Sequence, residues 1–177
     1  MSFTDFAMKI KLIAEELNAT REEEAIIIGK ETVAMIRRRV QNEKVDSTGS
    51  PFGQYSQAKM PQWFFYGKSN SAGADKELRD GDWFVSYADF REINGLDSGD
   101  IDFTFSGDMW KNTGVTEVES ADGSTTVYLG GQTDRAAQIY EWQEPRYGRI
   151  LEPNEEEIQF VNEAHLERIN GIIQKYL

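Results

Sequence analysis

The residues that could carry chemistry begin with three aspartates in the run DSGDID. Asp97, Asp100 and Asp102 lie close together around Gly99, and carboxylates beside a glycine turn are ligands that Ca²⁺ uses in proteins. The run lacks the EF-hand spacing and the distal bidentate glutamate of that motif. A solvated turn before a strand has the same composition, so the sequence favours a turn, and neither a metal nor a cofactor is predicted.

Catalytic constellations are not found in the sequence. The single histidine, His165, falls on the apolar stripe of a predicted helix, where a histidine is more often a packed residue than a general base. The chain has no cysteine. It also has no Gly-x-Ser-x-Gly elbow, no phosphate-binding glycine loop and no His-Glu-x-x-His helix. We therefore expect a protein that is not an enzyme.

Two short runs could instead bind a partner. Four consecutive aromatic residues cannot all enter one core, because side chains alternate between the faces of an extended chain. Either two of them pack inward or the run is an exposed contact surface. A run of three arginines could bind DNA or an acidic protein, although arginines also complement the negative end of a helix. The candidate interface residues are Trp63, Phe64, Phe65 and Tyr66, together with Arg37, Arg38 and Arg39.

Composition limits the class of protein. The chain has 177 residues, the length of one ordinary domain, and no run approaches the roughly 18 apolar residues of a membrane span. We expect a single soluble domain over 1–177, without a membrane partner. With 31 acidic and 19 basic residues, the net charge of −12 should repel phosphate backbones. Sequence-specific binding of nucleic acid is therefore not expected.

Helical periodicity predicts two long helical regions at the ends of the chain. Apolar residues from Phe6 to Leu17 predict a short first helix that starts near Thr4, and Thr20 is predicted to cap a second helix that ends at the arginines. Its predicted buried stripe comprises Ile26, Gly29, Val33, Ile36 and Val40. After Pro153, a last amphipathic helix is predicted to bury Ile158, Val161, His165, Ile169, Ile172 and Tyr176.

Strand periodicity appears between the helical regions. IDFTF, residues 101–105, alternates apolar and polar residues, and Asp122-Gly123 predicts a tight hairpin turn. Short helices are predicted from Ser106 to about Asn112, closed by Gly114, and from Thr133 to about Trp142. The fold class is therefore α+β, with an antiparallel sheet of three to four strands and the long N- and C-terminal helices packed on one face. The long connection from Val45 to about Trp83 is predicted to be functional or mobile.

The order of short motifs resembles that of the bacteriophage virion morphogenesis proteins, the tail-completion or neck family of Mu-like and lambdoid phages. The resemblance covers most of the chain. Two features depart from the family pattern. Residues 60–82 resemble a loop inserted relative to the simplest members, and Tyr140 stands where many members have a histidine. The matching positions are Asp46, Gly49, Phe52, Tyr55 and Ser56, then Tyr87, Phe90 and Arg91, then Ser106, Gly107, Asp108 and Met109, and finally Arg146 and Tyr147.

The resemblance implies a structural virion protein of the head–tail connector, made in the bacterial host cytoplasm. Its implied partners are a portal or head-completion adaptor, and a tail terminator or tail tube protein. It further implies a ring of six copies, or of twelve directly on the portal, with DNA passing through the lumen. The alternative is a calcium-dependent or carbohydrate-binding accessory module that uses Trp63 to Tyr66 as a stacking platform beside DSGDID. For 60–82, we expect a flexible docking loop outside the folded core.

Overall fold

Two long antiparallel helices dominate the computed structural model, which describes residues 2–177. Helix α1 spans Phe3–Arg38 and the C-terminal helix spans Glu155–Tyr176. Ion pairs near both ends of their contact, Arg39 with Glu157 and Lys175 with Glu16, establish the antiparallel arrangement. The fold is α+β, as predicted. Within residues 2–177, no helix is long and apolar enough to cross a membrane.

Helix α1 is continuous, so the prediction of two separate N-terminal helices is wrong. Ser2 caps the helix in a capping box with Asp5. Thr20 caps nothing, and its hydroxyl donates to the carbonyl of Glu16 at 3.0 Å within the helix. Asn18 and Ala19 include neither glycine nor proline, so nothing there interrupts a helix that is already formed. A helix of 36 residues is about 54 Å long.

The hairpin is confirmed. Strands β3 (Thr113–Ala121) and β4 (Ser124–Gly131) pair antiparallel around Asp122 and Gly123. Both turn residues have positive φ angles, 51° and 82°, as a type I′ turn requires. Helix α1 packs on this hairpin at Gly29, where an added Cβ would lie 2.7 Å from Val115 Cγ2.

The predicted antiparallel sheet of three to four strands is not confirmed, because the described residues form two separate sheets of two strands each. The second sheet pairs β1 (Met60–Pro61) with β2 (Phe84–Val85). Residues 101–105 form no strand. The Asp102 carboxylate accepts hydrogen bonds from the Thr104 N–H and the Tyr55 hydroxyl, and these contacts shape the segment in place of a strand ladder. The C-terminal helix lies mainly against α1, so only α1 of the two long helices packs extensively on the hairpin.

Four shorter α-helices complete the fold, together with a π-helical turn (Arg39–Glu43) and a 3-10 turn (Gln62–Phe65). The shorter α-helices are α2 (Ala72–Asp80), α3 (Tyr87–Ile93), α4 (Asp108–Lys111) and α5 (Asp134–Tyr147), and the C-terminal helix is α6. Thr133 caps α5 as predicted, but this helix continues past Trp142 and includes Pro145 in its last turn, where proline removes one hydrogen bond. Helix α4 begins after Gly107 instead of Ser106, and Gly114 lies in β3.

Most of the predicted stripe is confirmed: Gly29, Val33 and Ile36 of α1 are buried, as is Val40 in the π-helical turn that follows, whereas Ile26 is half-buried. On α6, Ile158 is exposed, and the other predicted residues are half-buried against α1. The described residues form two hydrophobic clusters, and Tyr87 packs against both of them. The larger cluster includes Ile36, Val40, Phe52, Tyr55, Trp110 and Ile150, and the smaller one is Phe65, Leu78, Val85 and Phe90.

Candidate functional site

Four large aromatic side chains lie exposed beside the short sheet of β1 and β2. Pro61 pairs with Phe84, and the Gln62 N–H donates to the Trp83 carbonyl at 2.8 Å. This pairing brings together two aromatic pairs that are far apart in sequence. We call the exposed set the aromatic edge: Trp63 (57% exposed), Phe64 (50%), Trp83 (58%) and Phe84 (52%).

The segment 60–82 holds this edge in place, so the expectation of a flexible loop outside the fold is wrong. Phe65 is 2% exposed and Leu78 of α2 is fully buried. The ring of Phe65 stacks on that of Phe90 with centroids 4.5 Å apart. Asn70 is fixed to Asn94 by two hydrogen bonds of 2.7 and 2.9 Å. The segment is therefore an anchored part of the smaller hydrophobic cluster.

The four consecutive aromatic residues divide between the core and the surface. Phe65 is buried, which removes it from the predicted interface, and Tyr66 is half-buried beneath the Arg79 guanidinium, 4.3 Å from its ring centroid. Trp63 and Phe64 remain exposed. Sequence reasoning missed Trp83 and Phe84, and the available signal was a second aromatic pair directly before the buried Val85.

The three predicted arginines also have different surroundings. Arg37 and Arg38 are exposed. Arg39 is only 3% exposed, and its guanidinium binds the Glu157 carboxylate through Nε and Oε1 at 2.9 Å. It donates further bonds to the carbonyls of Val45 and Glu152. Arg39 is therefore a structural residue that joins α1, the following loop and α6, and it cannot serve as an exposed contact.

Two of the three DSGDID aspartates, Asp97 and Asp102, pair with basic side chains. Lys44 Nζ lies 2.7 Å from Asp97 Oδ2, and Arg91 Nη2 lies 3.0 Å from Asp102 Oδ1. The hydrogen bond from Lys44, together with the Gly99 N–H, lowers the pKa of Asp97 below its ordinary value. These carboxylates are already neutralised, which argues against calcium binding. In the part of the chain that the structure describes, no group of three or more acidic or histidine side chains could hold a metal ion.

The loop after α1 is a hydrogen-bonded corner. Asp46 Oδ1 accepts bonds from the Thr48 N–H at 2.8 Å and the Ser50 N–H at 3.0 Å. Burial alone would raise the pKa of Asp46, but bonds from Thr48 and Ser50 hold this pKa below its ordinary value. Gly49 has a φ of 82°, which glycine adopts without strain. The corner directs the returning chain toward buried Phe52 and Tyr55.

A cavity of about 360 Å³ is lined in part by Tyr55 and by residues next to it in the chain. We call it the aromatic cavity, because rings line much of it. Gln54 and Gln143 also line it, together with Arg146 and Asp108. The ring contributors are Tyr55, Tyr87, Phe103, Phe105 and Tyr147.

A buried polar network holds one wall of the aromatic cavity. The Arg91 guanidinium is 1% exposed and lies 3.9 Å from the Tyr55 ring centroid. The Tyr55 hydroxyl donates to Asp102 at 2.7 Å. Burial, and then this bond to a carboxylate, raise the pKa of Tyr55 well above its ordinary value. Tyr55 therefore stays neutral, and its ring is fixed from both sides.

Tyr140 and His165 offer no comparable site. Burial raises the pKa of Tyr140 to about 12, and its hydroxyl lies 2.7 Å from that of Thr113. His165 is half-buried on α6, and its Nδ1 has no hydrogen-bond partner among the described residues. Neither residue lines the aromatic cavity.

Comparison with family models, curated proteins and solved structures finds no significant match to this chain. The geometry of its surfaces therefore carries the functional argument. The aromatic edge exposes four large rings to solvent, and the aromatic cavity is a ring-lined space of about 360 Å³.

Proposed function

We propose that this chain is a structural protein of a bacteriophage virion, which joins head to tail as a subunit of a ring. The exposed aromatic edge is the observation that supports a docking role for this chain. Tryptophan and phenylalanine are enriched in protein interfaces, and each of these four side chains is at least half exposed. Leaving such rings in water is unfavourable, so a partner that covers them gains binding energy.

The positions behind the family resemblance support the phage assignment, because several of them lie in one connected region. Phe52 contacts Tyr147 with ring centroids 6.4 Å apart, and Arg91 packs on Tyr55. Met109 belongs to the same hydrophobic cluster as Phe52. A motif order that is dispersed in sequence and compact in space is what a shared architecture would produce.

Charge supports the same proposal. A net charge of −12 suits a ring whose lumen repels the DNA duplex, so that DNA passes without binding. The proposed neighbours are a portal or head-completion adaptor on one side and a tail terminator or tail tube protein on the other. Six copies are proposed, or twelve if the ring sits directly on the portal.

The experiment is deletion of the gene from its phage. We expect DNA-filled heads and free tails that fail to join, and complementation with the wild-type chain should restore joined particles that contain it. A Trp63→Ser/Trp83→Ser variant should complement poorly. Trp142→Ser, which removes an exposed tryptophan elsewhere (60% exposed), is the matched control and should complement fully.

Two results would contradict the proposal. One is absence of the chain from purified virions. The other is a deletion that still yields joined, infectious particles.

A further inference from the structure

We propose that the aromatic edge of one copy inserts into the aromatic cavity of a second copy, so that copies join head to tail. This inference rests on the proposed function, because it names the contact between neighbouring subunits of the ring. The occupant is a second copy because one chain carries both complementary halves. The edge offers protruding rings and the cavity offers a ring-lined space.

The edge has the composition of a binding hot spot. Tryptophan is one of the side chains enriched among residues that dominate interface energies, and Trp63 and Trp83 are 57% and 58% exposed. Lys68 lies over the Phe64 ring at 4.1 Å and provides a charged rim. A polar rim around an apolar centre is the usual anatomy of an interface.

The cavity has the matching size and chemistry. Its volume of about 360 Å³ lies near the lower end of the roughly 300–1,000 Å³ typical of ligand pockets, so it can receive a large aromatic side chain. Inserted rings could make edge-to-face contacts with Tyr87, Phe105 and Tyr147. The carboxylate of Asp108 and the amide of Gln143, which also line the cavity, are acceptors that an indole N–H requires when it is buried.

The edge cannot fill the cavity of its own chain. Phe64 of the edge contacts Phe65, which stacks on Phe90 at 4.5 Å, and Phe90 stacks on Phe105 at 5.5 Å. Phe105 lines the cavity. Buried Phe65 and Phe90 therefore stand between the two surfaces and fix the edge outside the cavity.

When the edge and the cavity of each copy bind two different neighbours, as head-to-tail joining requires, the contact is heterologous. Such contacts close into rings when the rotation between copies permits, and otherwise they form open filaments. Until a ring closes, a growing assembly has one free edge at one end and one free cavity at the other. A variant with a disabled edge and a second variant with a disabled cavity should therefore form a dimer together and nothing larger.

The edge variant is Trp63→Ser/Trp83→Ser, which keeps its cavity. The cavity variant is Gln143→Trp, which fills the cavity mouth and keeps its edge; Gln54→Trp replaces it if the first variant fails to fold. Trp142→Ser and Gln138→Trp are matched controls, because Trp142 is exposed outside the edge and Gln138 is exposed on α5 outside the cavity lining. Circular dichroism establishes folding, and sedimentation velocity measures the size of the assemblies.

We expect the wild type and both controls to form species larger than a dimer as concentration rises. Each variant alone should remain monomeric. An equimolar mixture of the edge and cavity variants should form a dimer and nothing larger, since only one productive contact exists in that mixture.

The inference is overturned if the wild type stays monomeric at its solubility limit, if either folded variant still assembles alone, or if the mixture forms no dimer. A monomeric wild type whose tryptophan fluorescence responds to cellohexaose would assign the edge to a carbohydrate. Failure of the proposed function is distinguishable: a chain that self-assembles but is absent from virions refutes the function alone, and a virion protein that is monomeric in solution refutes the contact alone.

Discussion

Substituting Glu157 by glutamine tests the buried connection between the two long helices. Arg39 and Glu157 are 3% and 7% exposed, and two hydrogen bonds of 2.9 and 3.3 Å join them. Glutamine keeps the size of the side chain but removes its charge. It also remains suitable for the capping box in which the Asn154 N–H donates to Glu157 Oε2 at 2.8 Å.

The expected loss of stability follows from the uncompensated guanidinium. Removing one partner of a buried ion pair costs about 3–5 kcal/mol. Two of the hydrogen bonds that Arg39 donates, to the carbonyls of Val45 and Glu152 at 3.0 and 2.8 Å, survive the substitution. We therefore expect a cost at the lower end of this range, which is a decrease of about 3 kcal/mol in the free energy of unfolding. This is a large part of the roughly 5–15 kcal/mol typical of a domain.

Urea unfolding followed by circular dichroism at pH 7 measures the effect. Glu155→Gln is the control, because Glu155 lies in the same first turn of α6 but is exposed. It should lose only the roughly 0.3–1 kcal/mol of its interaction with the helix dipole. The difference between the two variants should persist in high salt, since buried pairs are weakly screened. If Glu157→Gln unfolds within about 0.5 kcal/mol of the control, the reasoning is refuted.

Two further predictions concern packing and pH. Gly29→Ala should cost about 1–3 kcal/mol in urea unfolding, because its Cβ would overlap Val115 Cγ2 at 2.7 Å. Gly171→Ala, with open space around it, should instead stabilise α6 by about 0.5–1 kcal/mol; equal effects would contradict the close approach. Because the folded pKa of Asp97 is lowered, its contribution should be complete above about pH 4 and lost as the pH falls through the folded pKa. Asp97→Asn should weaken the acid dependence of the melting temperature; an acid profile identical to that of the wild type would exclude a contribution from the Asp97 bond to Lys44.

Local signals account for the parts of the fold that the sequence predicted. The hairpin depends on Asp122 and Gly123, which accept positive φ angles within the turn itself. Helix α6 begins where Asn154 caps it and where Pro153 favours an extended residue before it. These signals act over a few residues, so the turn and the helix start can be predicted without knowledge of the rest of the chain.

Distant contacts account for the failures. In IDFTF, the alternation identified inward-facing rings, since Phe103 and Phe105 pack on the hydrophobic clusters. The backbone is nevertheless irregular there, because Asp102 is bound by Tyr55, 47 residues away, and by Arg91, 11 residues away. The alternation of residues within the run contains no information about either of these distant partners.

The aromatic edge shows the same limit at the candidate site. In the sequence, each of its pairs, Trp63 with Phe64 and Trp83 with Phe84, is compatible with an ordinary mixture of buried and exposed rings. Only the pairing of β1 with β2 combines them into one surface. The sequence also could not predict that Phe65 is the buried ring of the first run, because its burial depends on stacking against the distant Phe90.

Helix α3 contributes to both hydrophobic clusters and so connects the aromatic edge to the rest of the fold. Tyr87 packs against both clusters, and Arg91, one turn further along α3, binds Asp102 beneath the aromatic cavity. Helix α3 therefore supports the anchored segment on one side and the cavity wall on the other. Because packed interiors deform little, we expect the edge to keep a fixed position relative to the cavity through the packing of Phe65 on Phe90 of α3. The proposed role in joining two large assemblies requires this rigidity, since a docking surface on a mobile loop would bind its partner without fixing the partner's position.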